Sequence, residues 1–118
     1  MWNLPNQNRL DLIPRLYQTE HIPLKDKLVH LHMFLGGCDW YVIEYDGTDI
    51  FWGYAILSGD YQNNELGYFS LSELKAIKIN GWLEIDCELE EYWERRPLSE
   101  VDKISKARAE QGGECYVL

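Results

Sequence analysis

The sequence predicts an α+β fold: an antiparallel sheet of about five strands with two or three short helices, in a single domain over residues 1–118. Three observations lead there. Apolar residues recur with period two in several short segments, the mark of strands with a buried face. Turn signals rich in Gly, Asn and Asp separate these segments at short intervals. Two patterns of the form Ser-x-x-acidic, Ser70 with Glu73 and Ser99 with Asp102, mark helix starts.

Each element follows from its residues. Leu4, Leu10, Leu12, Ile13 and Leu16 have loosely helical spacing; Pro5 suits a first helical turn and Pro14 ends the helix. Residues 27–35 read as a strand with Val29, Leu31, Met33 and Leu35 on one face and Leu28, His30, His32 and Phe34 on the other. Gly36-Gly37 interrupts the pattern, and residues 40–45 form a second strand rich in aromatic and β-branched residues. Asp46-Gly47 is a hairpin signal, because Gly accepts the positive φ of such turns. Residues 49–57 form a third strand, in which Gly53 marks a bulge or a close backbone approach.

Residues 58–64 are turn-rich, residues 65–70 make a short fourth strand, and Ser70 caps a helix running to about Ile77. Asn80-Gly81 turns the chain again. Leu83, Ile85, Cys87 and Leu89 then alternate with Glu84, Asp86, Glu88 and Glu90, which predicts a half-buried strand whose outer face is wholly acidic. Ser99 caps a last helix with the stripe Val101, Ile104 and Ala107, stopped at Gly112-Gly113.

Composition bounds the function. At 46% hydrophobic and 26% charged residues the chain is globular in composition, and a chain of this length buries roughly two-thirds of its unfolded surface. The net charge of −9 argues against a general nucleic-acid binder, since phosphate contact relies on Lys and Arg. That charge is local: residues 44–94 hold 12 acidic and 2 basic residues, whereas residues 1–43 balance at 4 and 4. The longest apolar run, residues 50–57, is far shorter than the roughly 20 residues of a membrane span. Met1 to Pro5 shows neither the basic stretch nor the apolar run of a signal peptide. Cys38, Cys87 and Cys115 form no C-x-x-C pair, so free thiols and a cytoplasmic location are expected.

Candidate sites are few. Period-two alternation places His30 and His32 on one strand face, an arrangement that can offer two metal ligands. Glu44, Asp46 and Asp49 surround a turn but lack the full pattern of a calcium loop, so no metal and no cofactor is expected. Carboxylates that could do acid-base work abound, too many to single out a pair; an acidic site around Glu44 and Glu65 is one candidate, and no nucleophile motif accompanies it. Trp40, Tyr41, Trp52 and Tyr68 lie on central strands, where aromatics can anchor a protein partner or stack on single-stranded bases. The acidic row Glu84, Asp86, Glu88 and Glu90 fits a basic partner.

The segment Glu65-Leu66-Gly67-Tyr68-Phe69-Ser70-Leu71-Ser72-Glu73-Leu74 carries a resemblance. It is similar, residue by residue, to a motif of the bacterial family called domain of unknown function 2958. Leu16-Tyr17, Trp40-Tyr41 with Glu44, Phe51 with Gly53, and Pro97-Leu98-Ser99-Glu100-Val101 match in family order, so the resemblance covers about residues 4–101. Glu65, Gly67, Tyr68, Phe69, Ser70 and Glu73 are its motif residues. The resemblance implies an accessory protein of plasmids and other mobile elements, without catalytic residues to carry over. Together with the charge it predicts a non-enzymatic interaction module for an unidentified, basic protein partner. An acidic DNA mimic acting against host defence, a single-strand binder and an enzyme with a carboxylate site are the alternatives.

Overall fold

A computed structural model describes residues 1–57 and 65–105. In chain order its elements are α1 (Gln7–Asp11), β1 (Leu28–Val29), β2 (Leu31–Leu35), β3 (Cys38–Tyr45), β4 (Ile50–Ile56), β5 (Glu65–Ser70), α2 (Leu71–Ala76), β6 (Lys78–Ile79), β7 (Leu83–Glu84), β8 (Asp86–Cys87) and β9 (Arg96–Pro97). The main sheet has five antiparallel strands in the order β5-β4-β3-β2-β8, so the fold is α+β as the sequence predicts. Two small pairs, β1 with β9 and β6 with β7, flank it.

The turns sit where their residues demand. Gly36, Gly47, Asn80 and Gly81 all have positive φ, and the Asp46 carboxylate accepts the backbone N–H groups of Thr48, Asp49 and Ile50. Asn6, not the prolines, caps α1, its side chain accepting the Arg9 N–H at 2.9 Å. Ser70 caps α2 by accepting the Glu73 N–H at 3.3 Å. Asp49 completes that end from across the sheet, accepting the Ser72 N–H and both serine hydroxyls. These bonds hold the Asp49 carboxyl below its ordinary pKa.

Both sheet faces are covered. One carries Leu31, Met33, Trp40, Val42, Tyr45 and Phe51 under Leu10 of α1 and Leu74 of α2. The other carries Tyr41, Ile43, Tyr54 and Ile56 under Val29, Leu98, Val101 and Ile104. Register explains an apparent irregularity: Val42 pairs with Gly53 and Glu44 with Trp52, so Ile43 is an extra residue in β3. Without this bulge Glu44 would stand opposite Phe51, inside an apolar layer.

Three expectations change. Residues 83–90 are not one strand: β7 pairs with β6, Ile85 is buried, and β8 pairs with β2. The strand over 27–35 breaks at His30, which sends Val29 to the face opposite Leu31. Ser99 does not cap the last helix; a 3-10 turn spans Leu98–Glu100, and helical backbone starts at 102. The expected turn at 58–64, Ala107, the Gly112-Gly113 stop and Cys115 lie outside the described residues.

Gly53 supplies the first test. A Cβ there would stand 1.9 Å from the Tyr41 carbonyl oxygen, whereas at Gly67 nothing lies within 4 Å. Gly53→Ala is expected to lower stability by about 1–3 kcal/mol, and Gly67→Ala to leave it unchanged, read from urea midpoints at constant m-value.

Candidate interaction site

The bulge in β3 puts Glu44 on the same face as Trp52 and, across β5, Tyr68. Glu44 is only 4% exposed, so its charge needs partners. Its Oε1 accepts the Tyr17 N–H at 2.9 Å, and its Oε2 accepts the Thr19 N–H at 3.2 Å and the Thr19 hydroxyl. Lys27, also buried, donates to the carbonyl and hydroxyl oxygens of the same Thr19. Thr19 thus relays between a buried anion and a buried cation. The Lys27 ammonium lies 5.9 Å from the Trp52 ring centroid, in cation–π range.

This network ties residues 17–19 to the sheet and walls a recess. Tyr17 has φ 71°, a left-handed conformation uncommon for a residue with a Cβ. The hydrogen bond to Glu44 holds it there. The Tyr68 hydroxyl then donates to that of Tyr17 at 3.3 Å. That bond first, then desolvation and the nearby Glu44 and Glu20, raise the Tyr68 phenol pKa. Tyr17, Glu20, Lys27, Glu44, Trp52 and Tyr68 line a recess of about 190 Å³. Two carboxylates against one ammonium leave it acidic. Chemically it offers aromatic walls and negative charge, the requirements for holding a cation.

A second recess, of about 200 Å³, lies on the opposite side of β5, lined by Trp40, Ala55, Leu57, Glu65, Gly67, Tyr68 and Phe69. Between the two runs an open edge, since β5 has no outer neighbour among the described strands. The Leu71 N–H donates to the Asp49 carbonyl at 2.9 Å. Antiparallel alternation therefore turns the backbone groups of Leu66 and Tyr68 away from β4.

The predicted residues are only partly brought together. Trp52 and Tyr68 are neighbours, but Trp40 and Tyr41 are buried on opposite faces and cannot form a platform with them. Glu44 and Glu65 also lie on opposite faces, so they form no catalytic pair. Three acidic residues of the expected row are engaged within the chain. Glu84 pairs with the Met1 amine, which holds its carboxyl below the ordinary pKa, and with Lys78 at 3.8 Å. Asp86 accepts from the Asn3 amide at 2.9 Å, Glu88 meets His32, and Glu90 is exposed. Phe69 packs on Phe51 at 5.8 Å.

The two histidines have different surroundings. His32 stacks on Tyr41 at 4.5 Å, with Nδ1 2.6 Å from Glu88 and Nε2 2.7 Å from Asp39. Each ring nitrogen thus faces a carboxylate. Lys103 also donates to Asp39. Burial pushes the Asp39 carboxyl up, but the bonds and charges of His32 and Lys103 outweigh it and hold the pKa low. His30 shares no partner with His32. Among the described residues no cluster of three or more His, Cys, Asp or Glu is arranged to hold a metal, and no helix is long and apolar enough to cross a membrane.

Tyr17, Thr19, Glu20 and Lys27 were not singled out by composition or spacing. Only the Leu16-Tyr17 match points towards them. The family model described as "Protein of unknown function (DUF2958)" matches residues 4–111, beyond the stretch the resemblance covers, and the chain belongs to that family. No curated protein and no solved structure matches the chain.

Glu44→Ala leaves three donors without their acceptor and removes the anion that the buried Lys27 reaches through Thr19. It is expected to cost about 3 kcal/mol and to speed hydrogen exchange at the Tyr17 and Thr19 amides by NMR. Asp39 adds a pH test. A carboxyl with a lowered folded pKa stabilises fully above its unfolded value, 3.8, and loses that contribution as pH falls through the folded value. The stability gap between the wild type and Asp39→Asn should therefore be constant above that pH and close below it, in urea titrations across pH.

Proposed function

We propose that this member of the DUF2958 family is a non-enzymatic interaction module, an accessory factor of a mobile element, that receives an extended basic segment of a partner protein along β5. The observation that carries the reading is the β5 edge, unpaired among the described strands and set between two recesses. A segment pairing with β5 would use the outward backbone groups of Leu66 and Tyr68. Its side chains would alternate between faces, as in any strand. One set meets the aromatic walls of Tyr17, Trp52 and Tyr68, and the other meets Trp40, Ala55 and Phe69.

Charge supports a basic occupant. Glu20 and Glu44 stand in one recess and Glu65 in the other, opposed by Lys27 alone. A Lys or Arg side chain gains there from both the carboxylates and the ring faces. The opposite edge is less open, because Trp2 bridges Asp86 in β8 and donates its N–H to Ile85 at 2.9 Å. The DNA-mimic reading needs Glu84, Asp86 and Glu88, which are engaged within the chain, and the single-strand reading needs Trp40 and Tyr41, which are buried, so both have less support.

Photo-crosslinking tests this. A benzoylphenylalanine at position 68 is expected to capture a basic protein from host cells at low salt, with capture reduced at high salt and by Glu20→Lys with Glu65→Lys. The same probe at Tyr92, which is 72% exposed, is expected to capture none of it. Equal capture at both positions, or capture indifferent to salt and to charge reversal, would count against the proposal.

A further inference from the structure

Arg9, Leu12, His30, Glu90, Trp93 and Arg95 line a partly open cavity of about 40 Å³ that shares no residue with either recess beside β5. His30 sits at the break between β1 and β2 and is 9% exposed. Its backbone N–H donates to the Val42 carbonyl at 2.8 Å, but its ring Nδ1 is buried and meets no hydrogen-bond partner among the described residues. Proteins seldom leave a buried polar atom unpaired. Desolvation, with the Arg95 charge, pushes the imidazole pKa down to about 4. The ring is therefore neutral near pH 7, with one N–H to give.

The rest of the lining is unlike the acidic remainder of the molecule. Arg9 spends Nη1 on the Glu88 carbonyl at 2.9 Å and keeps its charge beside the cavity. Neither Arg9 nor Arg95 forms an ion pair among the described residues. Trp93 is fixed by its indole N–H on the Val29 carbonyl at 3.1 Å, and Arg96 lies over its ring at 4.6 Å. Glu88, whose carbonyl Arg9 holds, turns its carboxylate to His32, so Glu90 is the carboxylate left in the lining.

We propose that this cavity binds a carboxylate group. Arg95 and Arg9 supply the charge, His30 a neutral donor, and Trp93 with Leu12 the apolar walls. Guanidinium groups match a planar carboxylate in charge and shape. The small volume of about 40 Å³ suits a small anionic group of this kind. Glu90 lines the same cavity, and its charge opposes the ligand.

The test is an acetate titration of the full chain at constant ionic strength, balanced with sodium chloride and followed by the His30 imidazole NMR signals. A saturable shift is expected. Arg95→Ala should weaken it about tenfold, the equivalent of one charged hydrogen bond. Glu90→Gln should tighten it severalfold, and inorganic phosphate should bind more weakly than acetate. Arg95 and Glu90 are both exposed, so neither variant threatens folding. No saturable shift, an equal shift in Arg95→Ala, no gain in Glu90→Gln, or phosphate binding as well as acetate would overturn the proposal.

Discussion

One extra residue in one strand governs the candidate site. Ile43 is inserted in β3 against β4, and the insertion changes which face every later side chain meets. With it, Glu44 joins Trp52 and Tyr45 returns to pack on Phe51 at 4.9 Å. In a regular register the carboxylate would enter the apolar layer under α1 and α2, at a cost of several kcal/mol. The bulge instead places Glu44 where residues 17–19 can meet it. Tyr17 is held beside Tyr68 through that single carboxylate, and Lys27 is drawn in through Thr19. A local backbone irregularity thereby becomes a shaped, acidic surface.

The charge pattern changes meaning in the same way. The excess of acid in residues 44–94 suggests one exposed acidic face. The fold instead uses much of that charge internally, on the N-terminal amine, on His32 and on backbone amides. Acidic character survives beside β5, at Glu20, Glu44 and Glu65, and a basic cavity lies elsewhere, at Arg9 and Arg95. The net charge of the chain describes neither locality.

Much of the sheet was legible because hairpins have local causes. Asp46-Gly47 and Asn80-Gly81 supply the positive φ, period-two alternation outlines β2, and turn signals bound the apolar run of β4. Ser70 could be read as a cap because capping depends on residues three apart. Residues 83–90 misled because alternation specifies a face and not a partner, and the chain changes partner at Ile85. The same limit separated Trp40 from Tyr41: adjacent aromatics on a strand point to opposite sides. The site was least legible because its fixed points are distant in sequence. Glu44 meets Thr19 25 residues away, and Tyr68 meets Tyr17 51 residues away. Only Gly53 hinted at the cause, and it lies across from the bulge on the neighbouring strand.

The site depends on the register of β3 against β4, and cross-strand NOEs read that register directly. The bulge predicts backbone contacts pairing Val42 with Gly53 and Glu44 with Trp52, with Ile43 unpaired between them. A regular ladder, with Ile43 opposite Trp52 and Glu44 opposite Phe51, would contradict it.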